Sequence, residues 1–150
     1  MKTLVAYFSA QGTTAALARE LAEKTGADLF EIVPREPYSA ADITWTNPMA
    51  RCNREKIGRK DVPVAGTVAD WESYDRVYLG FPIWYYGAPN VVNTFCKGYD
   101  WQGKRVALFA TSGGSGIGRT VEKLRPYVAG GEIVKAEVIR GGKTLDDILL

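Results

Sequence analysis

The feature that most limits the fold of this chain is a regular alternation of short strand-like segments with segments of helical periodicity. Apolar, strand-forming residues fill residues 3–9, 28–33, 76–80, 105–111 and 133–139. Apolar residues recur at helical spacing over residues 14–24, after Pro89, over about 118–128 and from Thr144 to the end. Strands that alternate with helices form right-handed βαβ crossovers, which produce an open parallel sheet covered on both faces.

The predicted fold is therefore α/β, with five parallel strands in the doubly wound order 2-1-3-4-5. A length of 150 residues suits one domain, residues 1–150. The stretch 34–74 is too long for a simple connection, and we predict a helix plus loop there. Its helix-start signal is Ser39-x-x-Asp42.

Composition excludes several classes of function. The chain has no histidine, so it has no serine–histidine or cysteine–histidine relay and lacks the commonest metal ligand. Difficult chemistry would need a cofactor. Cys52 and Cys96 form no C-x-x-C motif, which indicates neither a disulfide framework nor a zinc site.

The charge and hydropathy patterns limit the partners. A net charge of +2 does not favour nucleic acid. The apolar runs are too short to cross a bilayer, and the first strand begins at Thr3, which leaves no room for a signal peptide. We therefore expect a cytoplasmic protein without a membrane or nucleic-acid partner.

Three loops are the candidates for a binding site. In the order 2-1-3-4-5, strands one, three and four are neighbours, and their carboxyl ends border the crevice where ligands bind. The loops that follow them, residues 9–14, 82–87 and 111–116, contain hydroxyls, glycines and aromatics but no Lys, Arg, Asp or Glu.

The first loop has the properties of an anion site. Free amides and the helix dipole at a helix N-terminus bind anions without a cationic side chain. Ser9, Thr13 and Thr14 can add hydroxyl donors, and Gly12 allows the backbone to wrap closely. A phosphate monoester is the expected guest, and ordinary helix capping by Ser or Thr is the alternative interpretation.

The other two loops add a flat wall and a set of close amides. The wall is the run Trp84-Tyr85-Tyr86, and the amides belong to the Thr-Ser-Gly-Gly-Ser-Gly run that begins at Thr111. A phosphate, a planar ring and hydrogen bonds to the ring edge together describe flavin mononucleotide (FMN). The aromatics could instead be core or interface residues.

The stretches "YFSAQGTTAALA", "YDRVYLGFPIWYYGAPNVVNTF" and "ATSGGSGIG" resemble the flavodoxins, in particular the short-chain flavodoxin-like group. The resemblance covers nearly the whole chain and implies FMN as the cofactor. It implies that Trp84 or Tyr85 stacks on the isoalloxazine. The implied phosphate residues are Ser9, Gln11, Gly12, Thr13 and Thr14; Pro82, Ile83, Trp84 and Tyr85 flank the ring; Thr111, Ser112, Gly113, Gly114 and Gly116 lie at the ring edge.

Three functions remain open from the sequence. The first is a flavodoxin that carries electrons for a redox partner protein. The second is an FMN-dependent NAD(P)H oxidoreductase that reduces quinones or similar small acceptors, and the third is a non-redox binding module with a retained phosphate site. The absence of a nicotinamide domain favours the carrier, whereas the slightly basic charge, unlike the acidic surface usual in flavodoxins, favours the oxidoreductase. We predict no catalytic side chain and no metal.

Overall fold

Five parallel strands form the central sheet. Their order across the sheet is Asp28–Glu31, Lys2–Tyr7, Tyr74–Pro82, Arg105–Thr111 and Glu132–Val138. The computed structural model describes residues 2–9, 12–36, 39, 41–43, 46, 50–51, 62–84, 87–112, 117, 119–139 and 144–150. The sheet strands are β1 (Lys2–Tyr7), β2 (Asp28–Glu31), β5 (Tyr74–Pro82), β6 (Arg105–Thr111) and β7 (Glu132–Val138). The predicted α/β class and the order 2-1-3-4-5 are confirmed.

The second predicted strand, residues 28–33, is shorter than the sequence indicated. It pairs with β1 only as far as the row Tyr7–Glu31, where β1 itself ends. The next residues form β3 (Val33–Pro34), which pairs antiparallel with β4 (Val64–Ala65) in a separate two-stranded ribbon. Long-range pairing with a strand some 30 residues downstream therefore takes the end of the predicted strand out of the main sheet.

Helix α1 (Thr13–Thr25) follows β1, and glycines with left-handed backbones flank it. Gly12 precedes it with φ 92°, and Gly26 ends it with φ 70° and donates its N–H to the Ala22 carbonyl. These are conformations that glycine adopts without steric cost, and Gly26 is the predicted helix stop.

Two shorter helices follow the later strands. Helix α2 (Asn90–Lys97) begins directly after Pro89, so Pro89 is the N-cap of the helix. The sequence had indicated a position for Pro89 inside the first turn, one residue or more further into the helix. Helix α3 (Thr120–Leu124) continues as a 3₁₀ turn, Arg125–Val128. Pro126 lies at the start of that turn and has no N–H for an α-helical bond, which explains why the predicted helix near 118–128 is only partly α-helical.

The C-terminal segment was predicted as the start of a helix, and the structure shows a 3₁₀ turn, Leu145–Ile148. A reciprocal capping box between Thr144 and Asp147 begins the turn. The end of the chain is then held against the sheet, because the Leu150 N–H donates to the Tyr78 hydroxyl at 2.8 Å.

The connection between β3 and β5 is described only in part. The predicted signal at Ser39 and Asp42 forms reciprocal bonds, from each backbone N–H to the other side chain, of 3.0 and 3.2 Å. It begins a 3₁₀ turn, Ala41–Ile43, and a second 3₁₀ turn, Trp71–Ser73, leads into β5. The prediction for Cys52 falls outside the described residues.

Both faces of the three central strands, β1, β5 and β6, are largely buried, as expected for strands whose sequences are mostly apolar. Residues that alternate along a strand face opposite sides, so Val5 packs toward α1 and Ala6 toward the opposite face. Cys96 of α2 is fully buried in the core on the Ala6 side of the sheet. Burial raises the pKa of its thiol far above the usual range. No helix among the described residues is long and apolar enough to cross a membrane.

A close contact inside the sheet leads to the first prediction. A Cβ atom on Gly80 of β5 would lie 2.1 Å from Cζ of the buried Phe109 ring on β6. Gly80→Ala should therefore overpack the core and lower the free energy of unfolding by about 1–3 kcal/mol, measured by urea denaturation.

Two further variants test that explanation. Gly98→Ala is the matched control, because Gly98 has a right-handed backbone and its nearest neighbour would be 3.4 Å from the new Cβ, so its effect should stay within about 0.5 kcal/mol. In a Phe109→Leu background, Gly80→Ala should lower the free energy of unfolding by less than it does in the parent protein. Strictly additive effects of the two substitutions would contradict the steric explanation.

Candidate functional site

The three candidate loops leave the sheet side by side, because hydrogen bonds between strands continue past the strand ends. Beyond β1, the Phe8 N–H donates to the Gly80 carbonyl at 2.9 Å. Beyond β5, the Ile83 N–H donates to the Thr111 carbonyl at 2.9 Å. The loops after β1, β5 and β6 therefore start at the same edge of the sheet, as predicted for a ligand-binding crevice.

The first loop presents the start of α1 to this edge. Gly12 is exposed, and its N–H donates to the Ser9 hydroxyl at 2.9 Å. Among the described residues other than its chain neighbours, no atom lies within 4 Å of the place where a Cβ would be. The next amides have no partner inside the helix, and the first turn of α1 contains no acidic residue. Open space, amide donors and the absence of negative charge fit a bound anion.

The two threonines that begin α1 have different surroundings. Thr13 is exposed, whereas Thr14 is 1% exposed. The Thr14 hydroxyl oxygen lies 2.9 Å from the hydroxyl oxygen of Thr111 at the end of β6, and either atom can be the donor. Of these two threonines, Thr13 is therefore the exposed one in this structure.

The second loop begins with Trp84, whose ring packs against the residue that follows β1. Trp84 and Gly87 exchange two backbone hydrogen bonds, of 2.9 and 3.3 Å, across the two residues between them. The half-buried Trp84 ring meets the buried Phe8 ring edge to face, with centroids 5.7 Å apart and an interplanar angle of 89°. Phe8 thus supports the ring from the end of β1.

The structure brings nine of the fourteen predicted site residues to this edge of the sheet. The described ones are Ser9, Gly12, Thr13, Thr14, Pro82, Ile83, Trp84, Thr111 and Ser112. The other five, Gln11, Tyr85, Gly113, Gly114 and Gly116, lie outside the described residues. The binding role of all fourteen stays a prediction. The described residues contain no group of His, Cys, Asp or Glu that could hold a metal ion.

Sequence reasoning missed two features of the site. One is Phe8, whose contact with Trp84 is not encoded in any motif, although its place at the end of the first strand put it near the crevice. The other is the bond between Thr14 and Thr111, which joins residues 97 positions apart. Nearby, Tyr7 donates to Glu31 at 3.3 Å, and burial together with that carboxylate raises the pKa of the Tyr7 hydroxyl.

The family model for flavodoxin matches residues 2–149, so the chain belongs to the flavodoxin family. A search of curated proteins gave no match. Among solved structures, a candidate flavoprotein from Bacteroides eggerthii is 38% identical, covers 95% of this chain and 91% of its own, and has a TM-score of 0.88. One from Bacteroides uniformis is also 38% identical, with 93% and 90% covered and a TM-score of 0.87.

A more distant neighbour was solved with its cofactor. This flavoprotein from Lactobacillus acidophilus, in complex with FMN, is 22% identical, covers 91% of this chain and 92% of its own, and has a TM-score of 0.73. At that identity the likeness concerns the fold.

Proposed function

We propose that this flavodoxin-family protein binds FMN in the three-loop crevice and acts as an electron-transfer protein. FMN is the expected cofactor of the family, and a structural neighbour was solved in complex with it. The observation that carries the proposal is the convergence of the three loops at the ends of β1, β5 and β6. Phe8–Gly80 and Ile83–Thr111 backbone bonds hold that arrangement.

Each loop has a separate part in binding. We assign the phosphate to the N-terminus of α1, with the Ser9, Thr13 and Thr14 hydroxyls and the helix amides as donors. We assign the flat ring to Trp84 and the ring edge to the backbone of Thr111 and Ser112. When bound, FMN supplies the redox chemistry. The residues of the chain hold it, orient it and exclude water.

The chemistry of the loops supports a carrier. Residues 9–14, 82–87 and 111–116 contain no Asp, Glu, Lys or Arg, and the chain has no histidine. These loops therefore supply no carboxylate, amine or imidazole for general acid or base catalysis near neutral pH. A site that holds a cofactor without these groups suits electron transfer better than substrate turnover.

One observation favours the alternative, an FMN-dependent NAD(P)H oxidoreductase that reduces quinones or similar small acceptors. The net charge of the chain is +2, whereas an acidic surface is what a carrier would use to steer toward a basic redox partner. For the carrier, the corresponding partner is a protein with an acidic or neutral docking surface.

Anaerobic mixing of the FMN-loaded protein with NADPH and then NADH separates the two functions. A carrier should lose its flavin absorbance slowly with either nucleotide alone and rapidly once a catalytic amount of a separate NADPH-dependent flavoprotein reductase is added. The same protein without the nucleotide is the control. Rapid bleaching without that reductase, followed by turnover with a quinone, would establish the oxidoreductase instead.

A second prediction concerns Trp84. If its ring stacks on the flavin, Trp84→Ala should weaken FMN binding by about 0.5–1.5 kcal/mol and restore part of the quenched flavin fluorescence. Trp84→Phe is the matched control, since it keeps an aromatic face beside Phe8 and should stay closer to the parent. Equal binding and quenching in Trp84→Ala and the parent would remove Trp84 from the ring site and leave Tyr85 as the predicted stacking residue.

A further inference from the structure

We propose that Arg76 and Arg105 form a surface site for a phosphate-type oxyanion at the amino edge of the sheet. The two arginines lie near the starts of β5 and β6, at the edge opposite the three candidate loops. The site contains none of the residues assigned to FMN. It therefore goes beyond the proposed function and does not depend on it.

The first observation is the register that brings the two arginines together. Arg76 and Arg105 are Cα partners in the β5–β6 ladder. Neighbouring strands lie about 4.8 Å apart, and the side chains of two paired residues point to the same face. The next pair, Val77 and Val106, is buried in the core on the Ala6 side of the sheet. The two arginines therefore lie side by side on the opposite face.

The second observation is that both guanidinium groups are exposed and unpaired. Within the part of the chain that the structure describes, neither the Arg76 nor the Arg105 side chain has a hydrogen bond or an ion pair. Like charges directly opposite each other on neighbouring strands destabilise a sheet. One acidic residue at either position would form a favourable pair, and this chain has an unfavourable one. An anion shared by the two arginines removes that repulsion, because each guanidinium then faces a negative charge.

The other residues of the same row differ on the two sides of the pair. Thr3 of β1 pairs with Arg76, and its hydroxyl can add a donor. Glu132 of β7 pairs with Arg105, is exposed, and forms no ion pair with it within the described structure. The Glu132 carboxylate repels an anion, so the expected binding position is on the Thr3 side of the row.

Charged side chains of the C-terminal turn, which packs on the same face of the sheet, are engaged elsewhere. Asp146 binds Lys24 of α1 at 2.9 Å, and the Asp147 carboxylate accepts a backbone N–H of the capping box at 2.8 Å. The Lys135 ammonium group of β7 donates to the Leu149 carbonyl at 2.7 Å. The two arginines therefore receive no acidic partner from this turn.

Two adjacent guanidinium groups favour an oxyanion with two negative charges. Each guanidinium presents its N–H donors in a planar fork that matches phosphate and carboxylate oxygens. A phosphate monoester has about −1.5 to −2 charges at pH 7 and three acceptor oxygens, so one such group balances both arginines. A single carboxylate balances only one of them. The ligand class is therefore phosphate, either free or as the monoester of a nucleotide.

The test titrates isotope-labelled protein, loaded with FMN and freed from excess FMN, with inorganic phosphate at constant ionic strength. The Nε–H NMR signals of Arg76 and Arg105, assigned with the variants, should move together and give one dissociation constant. Arg76→Gln and Arg105→Gln should each raise that constant by about threefold to tenfold. A second titration uses adenosine monophosphate. Tighter binding of the nucleotide would identify a nucleotide as the source of the phosphate, and equal binding would identify phosphate alone.

Three further variants test the electrostatic explanation. Arg35→Gln is the matched control, because Arg35 is exposed and its side chain is unpaired within the described structure, but no arginine pairs with it across a strand. It should leave the phosphate affinity unchanged. Glu132→Gln removes the neighbouring carboxylate and should tighten phosphate binding. Arg76→Glu creates an opposite-charge pair with Arg105, so it should abolish phosphate binding and raise the melting temperature in phosphate-free buffer of low ionic strength.

Each contrary result overturns a definite part of the proposal. Unchanged phosphate affinity in both Arg76→Gln and Arg105→Gln would remove the site from the pair. An equal loss in Arg35→Gln would leave only general attraction to a basic protein, and acetate that binds as well as phosphate would overturn the ligand class. A lower melting temperature of Arg76→Glu would show that the two arginines do not repel each other. A protein that fails to bind FMN would overturn the proposed function alone, since the same arginine variants can be compared without flavin.

Discussion

The parallel register of β1, β5 and β6 determines both the core and the position of the candidate site. One row of this register joins Tyr7, Gly80 and Phe109 across the three strands. Gly80 leaves room for the Phe109 ring, which helps fill the core beneath α1. Hydrogen bonds between neighbouring strands continue past the strand ends, from Phe8 to Gly80 and from Ile83 to Thr111. These two bonds align the loops that follow. A shift in register would therefore disturb the packing of α1 and the crevice together.

The two ends of the sheet have different electrostatic character. At the amino end, Lys104 is 6% exposed, donates to the carbonyls of Trp71 and Tyr74, and lies 4.8 Å from the centre of the Trp71 ring. Desolvation lowers the pKa of its ammonium group, while three nearby carboxylates oppose the shift. Beside it, burial and a hydrogen bond to Asp28 raise the pKa of Tyr74 to about 12. Among the described residues, the one buried charged side chain, that of Lys104, thus lies at the end of the sheet away from the uncharged loops.

Patterns of adjacent residues predicted most of this structure. The apolar run 105–111 matches β6 residue for residue, and Gly26 ends α1 as expected. The parallel sheet followed from the alternation of strands and helices, because parallel strands need crossover connections. The strand order followed from the doubly wound arrangement of five such strands. Those crossovers also made the meeting of the three loops predictable before any contact was known.

The features that sequence could not give depend on distant partners or on small energy differences. The Val33–Pro34 segment looks like the end of a strand, and only pairing with Val64–Ala65 removes it from the main sheet. In the segments after Arg119 and after Thr144, an α-helix and a 3₁₀-helix differ in whether each N–H bonds to the carbonyl four or three residues earlier, which an apolar periodicity does not distinguish. The bond between Thr14 and Thr111 required the fold itself, since nothing in either motif marks the two residues as partners.

The lack of charge in the three loops makes the geometry of the α1 start decisive for anion binding. A lysine or arginine attracts a phosphate over several ångströms, so its site tolerates small displacements. Amides and a helix dipole act mainly within the first turn, where each interaction contributes about 0.3–1 kcal/mol. Gly12 sets the direction of that turn through its positive φ, and Thr14 holds the turn against β6. Affinity at such a site therefore depends on how rigidly the backbone is held.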